Sequence, residues 1–188
     1  MLRLANRGVV VPKTYYARDF SNYLKVAKEF GYPVVVKLTR TGKGAGVYKL
    51  NSEAELQDKI AQAELYGYTA SGYLMQEFIP YVHDLRILVI GGRMYCMKRI
   101  PAEGEFRANF SLGGKVEPFK PDLETKDMAL EAMRAVELKV GGVDVLITRD
   151  NKKYILEVNH TPGFVGMEEA TKENITRKYV ELVIEKAV

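Results

Sequence analysis

The sequence lacks most features that mark cross-linked, zinc-binding or membrane-spanning proteins. It has a single cysteine, Cys96, which excludes an internal disulfide and is consistent with a reducing compartment. Its two histidines, His83 and His160, are too few and too far apart in the chain for a zinc site. No apolar run approaches the roughly 20 residues of a transmembrane helix, and the N-terminus has no signal-peptide pattern. We therefore expect a cytoplasmic protein with no membrane partner.

A strong charge of either sign is also missing. The net charge is +4 and the pI is near 9.0, with no block of consecutive basic residues and no aromatic signature of RNA binding. This mild positive charge favours anionic ligands. The pI is the only feature that favours a nucleic-acid-binding domain, so we expect no nucleic-acid partner. With 188 residues, 47% of them hydrophobic and 28% charged, the chain is long enough for one large globular domain or two small lobes.

Candidate metal ligands stand at the end of a predicted strand over residues 154–158. Glu157 and Asn159 are two residues apart, so period-2 geometry places their side chains on one face of a sheet. The sequence Thr161-Pro162-Gly163 then stops the strand. A carboxylate and an amide oxygen facing one way suit a hard cation such as Mg²⁺. For this segment alone, a polar strand edge beside a turn is an equally good interpretation.

A second strand supplies another carboxylate. The apolar run 141–147 contains Asp144, and a turn cluster joins the run to the strand at 154–158, which predicts a hairpin. If the turn is centred between Asp150 and Asn151, Asp144 lies opposite Glu157, at the ~5 Å separation of facing residues. Two like charges so placed repel each other unless a positive group lies between them, and a divalent ion supplies that charge. The hairpin therefore predicts a magnesium-nucleotide site.

A glycine-rich segment follows a strand predicted over residues 33–37. This segment does not match a P-loop or a dinucleotide-binding fingerprint, and a structural hairpin turn is the alternative interpretation. Its glycines permit φ > 0 and expose backbone N–H groups, which suits a loop over phosphates. Lys37 strengthens the phosphate interpretation, because a lysine that ends a buried strand must snorkel or meet an anion. The candidate phosphate-binding residues are Lys37, Gly42, Lys43, Gly44 and Gly46.

Charged residues also occur in a predicted hairpin formed by residues 83–90 and 93–99 across Gly91-Gly92. Asp84 and Arg86 share one face of this hairpin. They either point into a cleft or form an exposed ion pair. The following segment, 101–120, is predicted as a polar loop that is either mobile or functional. Helical spacing and cap signals predict helices over residues 1–7, 19–30, 52–63, 121–136 and 175–183.

Several segments, in this order along the chain, resemble the RimK-like branch of the ATP-grasp carboxylate–amine ligases, of the alpha-L-glutamate ligase type. They are VVVK, the glycine-rich loop, QEFIP, DLRILVIGGR, RIPAEGEFRANFSLGG, GVDVL and LEVNHTPGF, and they cover nearly the whole chain. The resemblance implies an α+β fold with two lobes, each with a mainly antiparallel sheet, that bind ATP between them. It implies a small lobe over residues 13–78 and a large lobe with the metal site over 79–188.

The resemblance also assigns roles to residues of this sequence. Lys37 and the loop 42–46 would contact ATP phosphates, the backbone of 76–79 would read adenine, and Asp84 would lie near the ribose. The full set of implied nucleotide-binding residues is Lys37, Gly42, Lys43, Gly44, Gly46, Gln76, Glu77, Phe78, Ile79, Asp84 and Arg86. The implied catalytic residues, which would contact the phosphates or the reacting carboxylate, are Arg107 and Asn109. The implied ligands of Mg²⁺ or Mn²⁺ are Asp144, Glu157 and Asn159.

The implied reaction activates a substrate carboxylate with the γ-phosphate of ATP and joins the acyl phosphate to an amino-acid-like amine, often glutamate. Family members usually have a preceding α/β domain with a further lysine, and residues 1–12 look like the remnant of a helix and linker from it. We therefore keep the alternative of a non-catalytic nucleotide-binding subunit that needs a separate polypeptide, and we expect a homo-oligomer. His160 replaces a small residue of the family and either meets substrate or fills space.

Overall fold

The computed structural model describes residues 1–39, 46–108 and 113–187. The helices in these ranges are α1 (Leu2–Asn6), α2 (Tyr23–Phe30), α3 (Glu53–Leu65), α4 (Leu123–Ala135), α5 (Val165–Thr171) and α6 (Ile175–Ala187). The strands are β1 (Thr14–Tyr15), β2 (Val34–Leu38), β3 (Val47–Leu50), β4 (Tyr73–Glu77), β5 (His83–Ile90), β6 (Arg93–Ile100), β7 (Lys115–Pro118), β8 (Val140–Ile147) and β9 (Lys153–Asn159). The chain divides into a small unit, Pro12–Ile79, and a large unit, Met1–Val11 with Pro80–Val188.

The small unit is an antiparallel sheet covered on one face by helices. Its strand order is β1–β4–β2–β3, so β2 is an interior strand. Val34 and Val36 of β2 face a core shared with α2 and α3, whereas Val35 and Lys37 alternate onto the opposite face. The predicted cap of α3 is confirmed, because Ser52 Oγ accepts a hydrogen bond from the backbone N–H three residues on, at 3.2 Å.

The large unit is a five-stranded antiparallel sheet with the order β7–β6–β5–β8–β9. Helices α1 and α4 pack on one face around a core that includes Leu85, Ile87, Val143 and Val145. Helices α5 and α6 cover part of the other face, around Leu88 and neighbouring apolar residues. Since both faces are covered, the central strands β5 and β8 are almost continuously buried. The rest of that second face carries charged side chains.

These sheets confirm the predicted α+β fold, while two local predictions were wrong. Helix α2 begins at Tyr23 and not at residue 19, because Asp19 Oδ1 accepts the backbone N–H of Ser21 (3.0 Å) and closes a separate turn. Residues 101–120 are not loop throughout, since β7 pairs with β6 inside this segment. Helix α5 was not anticipated. Residues Met1–Val11 group with the large unit, and their assignment to the remnant of a further domain stays a prediction.

No helix within the described ranges is long and apolar enough to cross a membrane.

Candidate functional site

A β-bulge in the hairpin β8–β9 organises the candidate metal ligands. Val145 of β8 pairs with Ile155, and the residue before it, Asp144, pairs with Glu157. Leu156 is therefore an extra residue in β9. The side chains of Ile155 and Val158 both contact the core under α1 and α4. These two core positions are three residues apart along the chain, whereas core positions of a regular strand are two or four residues apart. The bulge therefore turns Glu157 to the opposite face, beside Asp144.

The predicted facing of the two carboxylates is therefore confirmed, although the loop differs from the prediction. The N–H of Thr148 donates to the carbonyl of Lys152 (3.0 Å), which centres the loop on Asp150 and not between Asp150 and Asn151. This half-residue difference alone would place Asp144 opposite Leu156. The bulge compensates for it and restores the predicted pairing.

A guanidinium group lies between the two carboxylates. Arg86, which pairs with Asp144 in the β5–β8 register, donates from Nε to Asp144 Oδ1 at 2.7 Å and from Nη2 to Asp144 Oδ2 at 2.6 Å. The same Nη2 is 3.7 Å from Glu157 Oε1. Two facing carboxylates require a positive group between them, and in this structure Arg86 supplies it.

A second arginine, Arg99 of β6, joins this cluster and was not predicted. It donates from Nε to Asp84 Oδ1 at 2.5 Å and from Nη2 to Asp84 Oδ2 at 2.9 Å, and Nη2 also lies 2.8 Å from Asp144 Oδ2. The side chains of Asp84, Arg99 and Asp144 are 5%, 3% and 4% exposed. An exposed Asp84–Arg86 pair was therefore the wrong alternative, since each of these residues pairs with a neighbouring strand in the interior. We call Asp84, Arg86, Arg99, Asp144 and Glu157 the charge cluster.

The two buried aspartates of the charge cluster are not equivalent acids. Burial raises the pKa of Asp84 to about 6, and the Asp144 charge adds to this effect while Arg99 opposes it. Burial also acts to raise the pKa of Asp144, but Arg86 and Arg99 outweigh it and lower that pKa below its ordinary value. Among the described residues, two guanidinium groups lie at hydrogen-bond distance from Asp144 and one from Asp84. On acidification, Asp84 therefore takes up a proton first.

The end of β9 is fixed by a turn against the sheet. Asn159 Oδ1 accepts the backbone N–H of Thr161 at 2.9 Å, which orients the amide group. Gly142 pairs with Asn159, and a Cβ atom on Gly142 would lie 2.9 Å from Cβ of Pro162. The glycine is thus what allows the turn to approach the strand. His160 is exposed at this turn, so the interpretation that it fills space is wrong.

In the small unit, Gln76 and Lys37 lie on the same face of the sheet. Val35 pairs with Gln76, and Lys37 follows Val35 by two residues on β2. Gln76 donates from Nε2 to Thr14 Oγ1 at 2.9 Å. Its Oε1 atom is buried and accepts no hydrogen bond from any residue that the structure describes. A buried acceptor without a donor is uncommon, so this atom is a candidate partner for an N–H group of a ligand.

The other predicted residues of the small unit lie near these. Glu77 ends β4, and its carboxylate accepts the backbone N–H of Lys13 at 2.8 Å. Phe78 follows the strand with its ring centroid 4.1 Å from Lys49 Nζ, and Ile79 is half-buried. Gly46 has φ +70° and its carbonyl accepts from the N–H of residue 38 at 2.8 Å. Gly42, Lys43, Gly44 and Asn109 lie outside the described residues.

Arg107 is held by a carboxylate of its own loop. Glu105 Oε1 accepts from the backbone N–H of Phe106 (2.8 Å), from that of Arg107 (3.0 Å) and from Arg107 Nε (3.0 Å). Glu105 Oε2 accepts from Arg107 Nη2 at 2.6 Å. The side-chain hydrogen bond from Arg107 is the main cause that lowers the pKa of Glu105. This planar, two-pronged donor set is the kind that binds carboxylates and phosphates.

Comparison with known proteins identifies the family. The sequence model of the RimK-like ATP-grasp domain matches residues 1–183. The chain belongs to this family. A probable alpha-L-glutamate ligase of Psychromonas ingrahamii is 36% identical over 187 residues, which are 97% of this chain and 61% of the relative. A probable alpha-L-glutamate ligase of Teredinibacter turnerae is 35% identical over 185 residues, 96% of this chain and 60% of the relative. The RimK-like chain thus spans about three fifths of the length of these relatives.

The fold of this RimK-like domain matches that of solved ATP-grasp ligases. The ATP-grasp ligase PsnB, in complex with a phosphomimetic variant of its minimal precursor, Mg and ADP, superposes with a TM-score of 0.75 at 21% identity. The match covers 100% of this chain and 57% of PsnB. The chain therefore has the ATP-grasp fold, as its sequence predicted.

The residues of this RimK-like domain fit a divalent metal ion in their chemistry. Asp144, Glu157 and Asn159 offer two carboxylates and an amide oxygen on one side of β8 and β9, and Mg²⁺ prefers such hard oxygen donors. Within the described ranges, no group of three or more His, Cys, Asp and Glu side chains is placed to hold a metal. Mg²⁺ sites commonly have one or two protein carboxylates and other oxygen ligands. The metal assignment stays a prediction.

Proposed function

We propose that this chain is the core of an ATP-dependent carboxylate–amine ligase, which forms an amide bond with glutamate or a related amino acid as the amine. The observation that carries the proposal is the set of hard oxygen donors on one side of β8 and β9, Asp144, Glu157 and Asn159, inside a RimK-like ATP-grasp domain. The names of the curated relatives, probable alpha-L-glutamate ligases, support the choice of amine.

The proposed reaction has two steps that balance without any further reagent. An oxygen of the substrate carboxylate attacks the γ-phosphorus of ATP, the bond to the β-phosphate oxygen breaks, and ADP leaves. The nitrogen of the amine then attacks the acyl carbon, inorganic phosphate leaves, and the nitrogen loses a proton. Both steps develop negative charge on phosphate oxygens, which cationic groups must stabilise.

We assign the following roles to this chain's residues. Asp144, Glu157 and Asn159 would hold Mg²⁺ or Mn²⁺, which supplies charge neutralisation for the phosphate oxygens. Lys37 and Arg107 would bind phosphate or the reacting carboxylate through charge-assisted hydrogen bonds. The buried Oε1 of Gln76 would accept a hydrogen bond from the adenine base. The backbone of the residues after Gln76 would supply further donors and acceptors to the same base.

Calorimetric titration with ADP, with and without Mg²⁺, tests the nucleotide site. We expect ADP to bind in a magnesium-dependent manner, and binding that is independent of magnesium, or absent from a folded chain, would contradict the proposal. A second assay follows ADP release from ATP with glutamate and a carboxylate acceptor. Nucleotide binding without any release would support the alternative of a nucleotide-binding subunit. A partner polypeptide and a homo-oligomer stay predictions. The mass of the purified chain in solution checks the homo-oligomer.

A further inference from the structure

The charge cluster contains a cation at the place where the proposed metal ligands meet. Both nitrogens of Arg86 that contact Asp144 do so at hydrogen-bond distance, 2.7 Å from Nε and 2.6 Å from Nη2, and Nη2 also reaches towards Glu157. Building on the proposed function, we propose that Arg86 is a resident cation of the metal site, and that a divalent ion displaces its guanidinium from Asp144 on binding.

The number and direction of the contacts show why the two cations compete. Asp144 Oδ1 receives a hydrogen bond from Arg86 alone among the described residues, so a metal ion bound to this oxygen would have to share it with the Arg86 guanidinium. A divalent ion bound to Asp144 while Arg86 stays would place two positive centres within a few ångströms in a partly buried setting. Arg99 already neutralises Asp144 from the inner side, so this repulsion acts on the more exposed guanidinium, that of Arg86, and favours its displacement.

The second arginine explains how Asp144 remains in place after the exchange. Arg99 is 3% exposed. It donates hydrogen bonds from two nitrogens to Asp84 and also contacts Asp144 Oδ2. Arg86 is 14% exposed, and Glu157, towards which it points, is 51% exposed. Arg86 therefore lies on the solvent side of the cluster and Arg99 on its inner side. The displacement involves Arg86, and Arg99 keeps the buried carboxylate neutralised and oriented.

In the metal-free chain, Arg86 stabilises the pair of carboxylates. Asp144 and Glu157 face each other across β8 and β9, and two facing carboxylates without a cation repel each other. Arg86 keeps this pair of side chains together when no metal is bound. The site is thereby assembled before the metal arrives, at the cost of a weaker intrinsic affinity for it.

The wild-type chain itself gives the first test, by NMR of the arginine Nε–H groups. On titration with MgCl₂ in the presence of ADP, we expect the Nε–H resonance of Arg86 to shift and its exchange with water to accelerate. The Nε–H group of Arg177, which donates to Glu181 on α6, is the internal control and should stay unchanged. Magnesium binding that leaves the Arg86 resonance unperturbed would overturn the proposal.

The second test compares Arg86→Met with Arg134→Met, which removes an equal charge from an exposed ion pair on α4. Free Mn²⁺ is measured by EPR. Arg86→Met removes a charge-assisted contact from the metal ligand Asp144, so we expect this variant to bind Mn²⁺ about tenfold more tightly than wild type. Arg134→Met should bind Mn²⁺ like wild type. Equal or weaker binding by Arg86→Met overturns the competition while leaving the proposed function standing. Absence of Mn²⁺ binding from wild type and both variants overturns the metal site together with the competition.

Discussion

Glu157 faces Asp144 because Leu156 is an extra residue in β9. The hairpin loop alone would set Asp144 opposite Leu156, and the bulge replaces this leucine with a carboxylate on the same face. Bulges often redirect a side chain next to a functional site, and here the redirected residue is a proposed metal ligand. The bulge also carries Asn159 to the same face, since it follows Glu157 by two residues.

Glu157→Gln tests the metal assignment directly. The substitution keeps the size of the side chain and removes its charge, so we expect the magnesium dependence of ADP binding to be lost in calorimetry. The side chain is 51% exposed, so the free energy of unfolding should change by no more than about 0.5 kcal/mol. Glu117→Gln is the matched control, because Glu117 is 50% exposed and also paired with a cation. A Glu157→Gln variant that binds Mg-ADP like wild type would show that the metal assignment is wrong.

Arg99→Met tests the inner part of the charge cluster. Removing this buried guanidinium leaves Asp84 in the interior without its ion-pair partner. Breaking a buried pair from one side costs about 3–5 kcal/mol, and we expect a loss of that size in urea unfolding. Arg93→Met, an exposed position on the same strand, is the control and should stay within about 0.5 kcal/mol of wild type. A loss below 1 kcal/mol for Arg99→Met would mean that the cluster contributes little to stability.

The pairing of Asp84 with Arg99 was readable from the sequence. A hairpin centred between Gly91 and Gly92 places these two residues opposite each other, and the structure has this register. The predicted hairpin is confirmed, and the pairing of Asp84 with Arg99 follows from its register. Local pairs of this kind follow from turn chemistry, because the loop sets the register of both strands.

The contact between Arg86 and Asp144 was not readable in the same way. It depends on β5 pairing with β8, two strands that are separated by β6, β7 and α4. Periodicity assigns each residue to a face but does not tell which distant strand becomes the neighbour. The bulge at Leu156 was likewise hidden, since no glycine or proline marks it between Tyr154 and Val158. The sequence therefore predicted the face of each carboxylate, and the structure added the cation between them.

The pKa of Asp84 predicts how stability depends on pH. The ordinary pKa is 3.8 and burial raises it to about 6 in the folded chain, so the folded state holds this proton more tightly than the unfolded state. Between these values the contribution of Asp84 to stability falls as pH rises, by about 1.4 kcal/mol per pH unit. Asp144 has the opposite sign, because its lowered pKa gives stability that is lost as pH falls below its ordinary value.

Two measurements check this dependence. The carboxyl ¹³C resonance of Asp84 should titrate with a midpoint near 6, and that of Asp144 should not titrate above pH 3.8. Urea unfolding of wild type and Asp84→Asn is then compared from pH 4 to pH 7. The difference in unfolding free energy, wild type minus variant, should decrease through this range. An Asp84 midpoint below 4, or a difference that increases with pH, would contradict the assignment.

Glu105→Gln tests whether the loop carboxylate competes with anionic ligands for Arg107. Within the part of the chain that the structure describes, four donors converge on Glu105, two of them from the Arg107 side chain. A ligand phosphate or carboxylate that uses the same nitrogens must displace Glu105. A neutral amide holds the guanidinium less tightly, and we expect the non-hydrolysable analogue AMP-PNP to bind about tenfold more tightly in calorimetry. The gain should disappear when Arg107→Met is added, because the competed group is then absent. Glu103→Gln, an exposed position in the same loop, should bind like wild type. Weaker binding by Glu105→Gln would show the reverse relationship, in which Glu105 orients Arg107 for the ligand and must stay bound to it.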